Sequence, residues 1–416
     1  MRQTGAIVYG LPANYWRLFS ASAVSNLADG VFFILLPLLA VRLTDSPLLI
    51  AGLAVAGRLP WLVFVLFAGA LADRLDRRVT MRNVQLFRTL MLVVVTGLAL
   101  ADGLSLPVLY VVALALGVAE TLFDTAAQSI MPSIVERDQL SNANGKLYGV
   151  ELVMNQFIGP PLGGLMIGLS VPLALGGSAV GYLLAAIGLG LMVGRFKPER
   201  SGPKTRITAD IAEGFRYLWN HRVLRTLAIM VGVMNLSSTA VMAVFVIYAV
   251  APGPMGLSEP EFGVFMTTFA AGSVVGSFAA ARLERRFGRV PLLFVSVIIM
   301  SLGLAVPAFT TNPIIIGTGF VLSGLFVVVW NVITVSLRQR IVPNHLLGRL
   351  NSAYRLFAWG TQPVGALLGG AVAQVVGLQA VFVLAALVSV SLVVTRAIIT
   401  EDAIAAAELA GQPTPA

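Results

Sequence analysis

The stretch Gly69–Arg78, GALADRLDRR, carries five charged residues, whereas the twenty residues before it, Leu49–Ala68, carry one, Arg58. An echo of its second half, RLERR at Arg282–Arg286, follows RLDRR at Arg74–Arg78 after 208 positions (282 − 74). A short ionic loop between long apolar runs, repeated half a chain later, is the pattern of a duplicated membrane protein, in which the runs cross the bilayer and the charges stay in water. Of the 416 residues 57% are hydrophobic and 11% charged, with a mean hydropathy of +0.89, more apolar side chain than a soluble core encloses.

A helix needs about 20 mostly apolar residues to cross a bilayer. Working outward from the opening stretch, such runs occur at 17–41, 48–71, 84–101, 106–130, 147–168, 173–194, 224–250, 261–281, 290–309, 313–336, 351–376 and 379–396, twelve in all. The expected fold is therefore all-α, a membrane protein of twelve transmembrane helices. Lys and Arg favour cytoplasmic loops. With the N-terminus inside, all of them except Arg42 and Arg58 fall in or beside cytoplasmic segments, and the even count leaves both ends in the cytoplasm. The first residues lack the short apolar core and small-residue cleavage site of a secretory signal, so the first run is expected to remain a span.

The longest connection, Arg195 to Arg222, spaces Ile207, Ile211, Phe215, Leu218 and Trp219 on one helical face. That spacing predicts a helix lying along the cytoplasmic membrane surface. The chain thus divides into residues 1–194, a linker 195–223, residues 224–400 and a cytoplasmic tail 401–416. At an offset of 207, VERDQLSNAN (Val135–Asn144) faces VPNHLLGRLN (Val342–Asn351) with Val, Leu and Asn coinciding. Two related halves predict two pseudo-symmetric six-helix bundles.

The net charge of +9 and pI near 10.3 come from short clusters between apolar runs, which lack the continuous basic face that nucleic acid requires. There is no cysteine, and the two histidines, His221 and His345, are far apart in the sequence. No nucleotide-binding loop, HExxH or Ser-His-Asp pattern occurs, so neither enzymatic turnover nor a cofactor or metal is expected.

Ionisable residues at membrane depth each cost at least about 2.5 kcal/mol and mark function by default. The first half has four acids, Asp29 in the first span, Glu120 and Asp124 in the fourth and Glu151 in the fifth, and the second half has none. Glu120 and Asp124 are one turn apart on one face, where like charges disfavour joint ionisation. One of them is expected to hold a proton near neutral pH. Arg58 lies at about the depth of Asp29, so an ion pair between them is the purely structural alternative. Glu151, a turn inside the cytoplasmic end of its span, has the alternative of simply binding Arg or solvent. In the fifth span Gly159, Pro160, Pro161, Gly163 and Gly164, and in the eighth Gly272 and Gly276, allow close helix contact or bending.

Gly69, Asp73, Arg74, Arg77 and Arg78 match the signature that follows the second helix of the major facilitator superfamily, and the chain resembles that family over essentially its whole length. The motif's second glycine is here Asp76. GPPLGG, Gly159–Gly164, resembles the latter half of the family's antiporter motif, without its earlier glycines. The stretches LPLLAVRLTDSPLLIAGL and LSNANGKLYGVELVMNQFIGPPLGG are most similar to bacterial macrolide-efflux and enterobactin-exporter-like members. The resemblance implies a gate in which Asp73 accepts hydrogen bonds from a helix N-terminus near Asn351 while the arginines face acids or lipid phosphate. The alternative for Arg77 and Arg78 is enforcement of topology alone. The second copy has Ala281 opposite Asp73 and is the weaker gate. It also places the glycine-rich segments at a sliding seam between the halves, with ordinary packing as the alternative.

The family's central cavity is lined mainly by helices one, four, seven and ten. Candidates there are Phe32, Phe33, Asn235, Tyr248, Trp330 and Asn331, joined by Asn155, Trp359 and Gln362 from helices five and eleven, which together make an apolar site with few polar groups. The implied protein is a monomeric, proton-coupled exporter of amphipathic or lipophilic small molecules in a bacterial inner membrane. It works by alternating access, with protons and the lipid bilayer as its other partners. A transporter of lipid, lysophospholipid or siderophore with the same fold, or a non-transporting receptor or scaffold, is the alternative.

Overall fold

A computed structural model of the chain describes residues 11–64, 67–68, 71, 75–136, 138–197 and 207–411. Gly69, Asp73 and Arg74, the core of the expected gate, lie outside the described residues. Every named regular element among the described residues is helical. The first helices are α1 (Ala13–Leu43), α2 (Pro47–Val63), α3 (Arg77–Leu100), α4 (Leu106–Ile130) and α5 (Leu140–Leu152). A π-helical turn over Val153–Ile158 leads into α6 (Gly159–Leu169) and α7 (Val171–Gly190). There follow α8 (Ile207–Asn220), α9 (Arg222–Ala249), α10 (Glu259–Phe287), α11 (Arg289–Ala305), α12 (Pro313–Ile341), α13 (Asn344–Val375), α14 (Leu378–Val390) and α15 (Glu401–Gly411). Among the described residues ten helical segments are long and apolar enough to cross a membrane, with α5, its π turn and α6 counting as one.

The π turn has a cause in sequence. Pro160 and Pro161 have no N–H to donate, so the ladder is broken just after Ile158, and the Gly159 N–H reaches back five residues to the Met154 carbonyl oxygen.

Asp76, where the motif has glycine, starts α3. Its Oδ1 accepts from the Val79 N–H at 3.2 Å and its Oδ2 from the Phe196 N–H at 2.9 Å. Arg78 donates to the carbonyls of Leu189 and Gly190 at 3.1 and 2.6 Å, closing the C-terminal end of α7 where the helix dipole favours a cation. Arg77 donates to Ser133 Oγ at 3.4 Å. Asp76→Ala is expected to lower stability by about 0.5–2 kcal/mol, the range for an N-cap, with Asp76→Asn retaining most of it. Thermal unfolding of the detergent-solubilised protein measures both.

The helices pack as two units, one of Met1–Leu35, Val63–Leu104 and Leu114–Arg200, the other of Leu36–Leu62, Ser105–Ala113 and Ser201–Ala416. In the first, Tyr15, Leu18, Met81, Phe123 and Leu189 belong to one buried cluster. In the second, Leu293, Val329, Trp330 and Ile333 centre another. The second unit also holds the end of α1 and most of α2. Arg42 pairs with Glu259 at 2.6 Å, Ser46 Oγ donates to Gln374 Oε1 at 2.9 Å, and Ala51 packs with Ala243 and Ala366.

Gly159 and Gly163 meet α1 within the first unit, and Gly272 and Gly276 meet α12 within the second. A Cβ on Gly159 would meet Gly30 Cα at 2.6 Å and one on Gly163 the Val31 carbonyl oxygen at 2.9 Å, so α6 lies directly on α1. In the second unit a Cβ on Gly272 would overlap the Val321 carbonyl oxygen, and one on Gly276 would stand 2.6 Å from that of Leu325.

The amphipathic helix, α8, spends part of its apolar face on protein. Leu218 is buried in the second core, Gly214 abuts the Arg349 backbone, and Glu213 pairs with Arg349. Phe215 and Trp219 stack on each other with centroids 5.5 Å apart and remain partly exposed. The tail is likewise held, because Glu408 pairs with Arg289 at 2.6 Å and Glu401 accepts from the Val290 N–H at the start of α11.

Candidate functional site

In the first unit α1 turns Ser22, Ser25 and Asp29 inward at helical spacing, and α3 turns Gln85 and Arg88 toward them. Arg88 Nη1 donates to Asp29 Oδ1 at 3.2 Å, and the Tyr182 hydroxyl donates to the same oxygen at 2.7 Å. Ser25 Oγ donates to Asp29 Oδ2 at 3.5 Å and accepts from Gln85 Nε2 at 2.7 Å. The Arg88 side chain is 1% exposed, with its carbon Cζ 5.1 Å from the Tyr182 ring centre and 5.7 Å from that of Phe123. A guanidinium so far from water is tenable only beside a counter-charge, with ring faces adding cation–π attraction.

Asp29 is therefore paired with Arg88. Arg58, the partner in the purely structural alternative, is exposed on α2 and forms no ion pair among the described residues.

Phe123 sits between Glu120 and Asp124 on α4, and both acids act on the charge of Arg88 together with Asp29. Glu120 and Asp124 are each half-buried, and each also feels the other. Glu151, exposed near the end of α5, lies within electrostatic range of Asp29. Asp29, Glu120 and Asp124 thus lie within electrostatic range of one cation, Arg88, while Glu151 is linked to Asp29 rather than to that cation. Arg88 stood inside the expected span 84–101, so a search for basic residues at membrane depth was the signal that finds it. Tyr182, an uncharged residue amid small apolar ones, offered no comparable signal.

The second unit encloses a cavity of about 220 Å³ between α9, α10, α11, α12 and α14. Of the expected cavity residues, Asn235, Trp330 and Asn331 line it. Asn235 also donates to the Ala358 carbonyl oxygen at 2.8 Å. Tyr248 does not line it, because its hydroxyl is held 2.6 Å from the Pro307 carbonyl oxygen and 2.9 Å from that of Thr310. Trp359 meets Trp61 edge to face, centroids 5.6 Å apart, under the Arg355 guanidinium at 4.4 Å. Phe33 is exposed, while Phe32, Asn155 in the π turn and Gln362 are half-buried. Among the described residues no charged side chain lines this cavity.

The profile of a family described as transmembrane secretion effectors matches residues 13–413. The multidrug efflux pump Tap of Mycolicibacterium fortuitum is 29% identical over 378 residues, 87% of this chain and 90% of that protein. Among solved structures, the nucleoside transporter NupG superposes with a TM-score of 0.75 at 13% identity, covering 92% of this chain and 99% of that one. A bacterial homologue of the iron transporter ferroportin, in an inward-facing state, gives 0.68 at 19%, covering 96% and 100%. The structural likeness establishes the fold, and the profile runs from the first residue of α1 past the end of α15. The chain is a membrane transporter, not an enzyme, and belongs to the transmembrane secretion effector family of the major facilitator superfamily.

Proposed function

We propose that this protein is a proton-coupled exporter of amphipathic or lipophilic small molecules, working by alternating access as a monomer in a bacterial inner membrane, both termini in the cytoplasm. Two six-helix halves, residues 1–194 and 224–400, rock about a midplane site. The observation that carries the reading is one buried guanidinium, Arg88, paired with Asp29 at 3.2 Å and within electrostatic range of Glu120 and Asp124. One cation neutralises one carboxylate, and in a low-dielectric setting the excess negative charge favours taking up a proton. A proton arriving from outside neutralises Glu120 or Asp124, and its release to the cytoplasm restores the repulsion that the next cycle uses. The named activity of the Tap relative, multidrug efflux, supports export. The polar contacts Arg42–Glu259 and Ser46–Gln374 are breakable in the manner a cycle of opening requires.

A gradient equivalent to 100 mV supplies about 2.3 kcal/mol per proton, a concentrating factor of roughly fiftyfold. Everted vesicles with an acid interior are therefore expected to accumulate the neutral dye Nile red, and nigericin to collapse the accumulation. The double variant Glu120→Gln/Asp124→Asn should lose that factor. Unaltered, gradient-independent dye movement in the double variant and in Asp29→Asn would reject proton coupling.

A further inference from the structure

Arg58 and Arg355 stand at membrane depth outside the acid cluster. Each lies eleven residues past the first residue of its helix, Pro47 of α2 (58 − 47) and Asn344 of α13 (355 − 344), or about 16 Å along the axis at a rise of 1.5 Å per residue. Both are exposed, and neither forms an ion pair or a side-chain hydrogen bond among the described residues. Neither helix contains an acid, so no counter-charge comes from α2 or α13 themselves. An ionisable side chain held at such depth without a partner marks a functional site.

Both arginines belong to the second unit, and the contacts around them put them on one seam. On α2, Ala51, Val55, Arg58 and Leu62 recur at spacings of three and four residues, which is one helical face. Ala51 clusters with Ala366 of α13, a Cβ on Gly370 would meet the Ala51 side chain, and one on Gly360 would stand 3.4 Å from Leu62 Cδ1. The two helices therefore run antiparallel here, and Arg58 occupies the stripe of α2 that faces α13, between those contacts. Arg58 is exposed even so, and each helix carries an internal proline near its level, Pro60 and Pro363, where a backbone hydrogen bond is lost. On α13, Arg355, Trp359 and Ala366 share the facing stripe. Trp359 meets Trp61 with ring centres 5.6 Å apart, and the Arg355 guanidinium lies over the Trp359 ring at 4.4 Å. Arg58 is one turn before Trp61 and Arg355 one turn before Trp359, so along the seam the indole pair sits between the two cations.

A guanidinium presents a planar fork of N–H donors that matches a carboxylate, and indole adds a flat apolar face on which a ring stacks. A flat ring joined to a carboxylate satisfies both features at once. A lipid phosphate shares the anionic chemistry but brings no ring for the indoles. We infer that Arg58 and Arg355 bind the carboxylate of an aromatic acid whose ring lies against Trp61 and Trp359. The inference rests on the export reading and names an anionic class of cargo for it.

Binding is measured on the purified full-length protein in phosphatidylcholine nanodiscs by ¹⁹F NMR titration, without any gradient. The probes are 6-fluoro-2-naphthoate and 6-fluoro-2-naphthamide, which share the ring system and differ in charge. Saturable naphthoate binding above that of empty nanodiscs is expected, tighter than that of the amide. Arg58→Gln and Arg355→Gln should each weaken naphthoate binding about tenfold, the lower end for a hydrogen bond to a charged group, while the amide changes less than about twofold. Arg58→Lys, which keeps the charge without the fork, should recover part of the loss, and Trp61→Leu should weaken both probes. Arg58→Gln removes no contact to a described residue, so it serves if Arg355→Gln yields no folded protein. No saturable naphthoate binding, equal binding of the two probes, or unchanged naphthoate binding in Arg58→Gln overturns the proposal. So does tighter binding of the soluble lipid dihexanoylphosphatidylglycerol than of naphthoate in competition, which would assign the arginines to a lipid phosphate. Because no gradient is present, failure of proton coupling in vesicles and failure of this site are read separately.

Discussion

Arg88→Met is expected to lower stability by about 3–5 kcal/mol, the cost of leaving a buried charge without its partner. The substitution nearly preserves side-chain length, so little of the loss comes from an empty volume. What remains is Asp29 with only the Tyr182 and Ser25 hydroxyls to compensate it, and the like charges of Glu120 and Asp124 no longer offset. The double variant Asp29→Asn/Arg88→Met removes both ends of the pair and should recover most of the loss, because an apolar or neutral replacement of a whole buried ion pair is often close to neutral. Thermal unfolding and the monodisperse fraction after size exclusion of the detergent-solubilised protein measure both variants. A single variant as stable as the parent would show that Arg88 is not the charge that makes the acid cluster tenable.

The second large effect is expected from Gly272→Val. A Cβ there would overlap the Val321 carbonyl oxygen, and one on Gly324 in the facing helix would overlap that of Phe269. The obstruction is backbone on both sides, so no side-chain rotation relieves it and α10 must move off α12. Overpacking of a well-filled core costs about 1–3 kcal/mol where neighbours can shift, and a backbone clash from a β-branched residue belongs at or beyond the upper end. Gly145→Ala is the internal control. Nothing lies within 4 Å of a Cβ at that position in α5, so the change should be neutral or stabilise by up to about 1 kcal/mol through helix propensity. The same unfolding measurement ranks the two. Equal effects would mean that close helix approach in the second unit is not what holds it together.

The acids were legible in the sequence because a carboxyl at membrane depth stands out against an apolar run, and the one-turn spacing of Glu120 and Asp124 puts them on one face whatever the tertiary arrangement. Their cation was not. Arg88 sits four residues into its expected span, where it counts equally well as a cytoplasmic flank, and only the crossing of α1, α3 and α7 places it against Asp29 and Tyr182. Asp76 shows the same boundary from the other side. As a motif it was a mismatch, whereas in the structure it caps α3 and holds the Phe196 N–H. The spacing of α8 predicts one apolar face, but spacing does not say whether membrane or protein covers it, and part of the helix packs on α9 and α13.

Composition and the position of charges determined by themselves that this is a helical membrane protein, since burying backbone in lipid admits few solutions and the penalty for a misplaced charge is large. Those constraints act along one helix at a time. Which charge neutralises which, which glycines meet which backbone, and which side chains line a cavity depend on contacts between helices far apart in the chain. Only the packed structure decided them, because a pair interaction exists only once both partners are brought within a few ångströms.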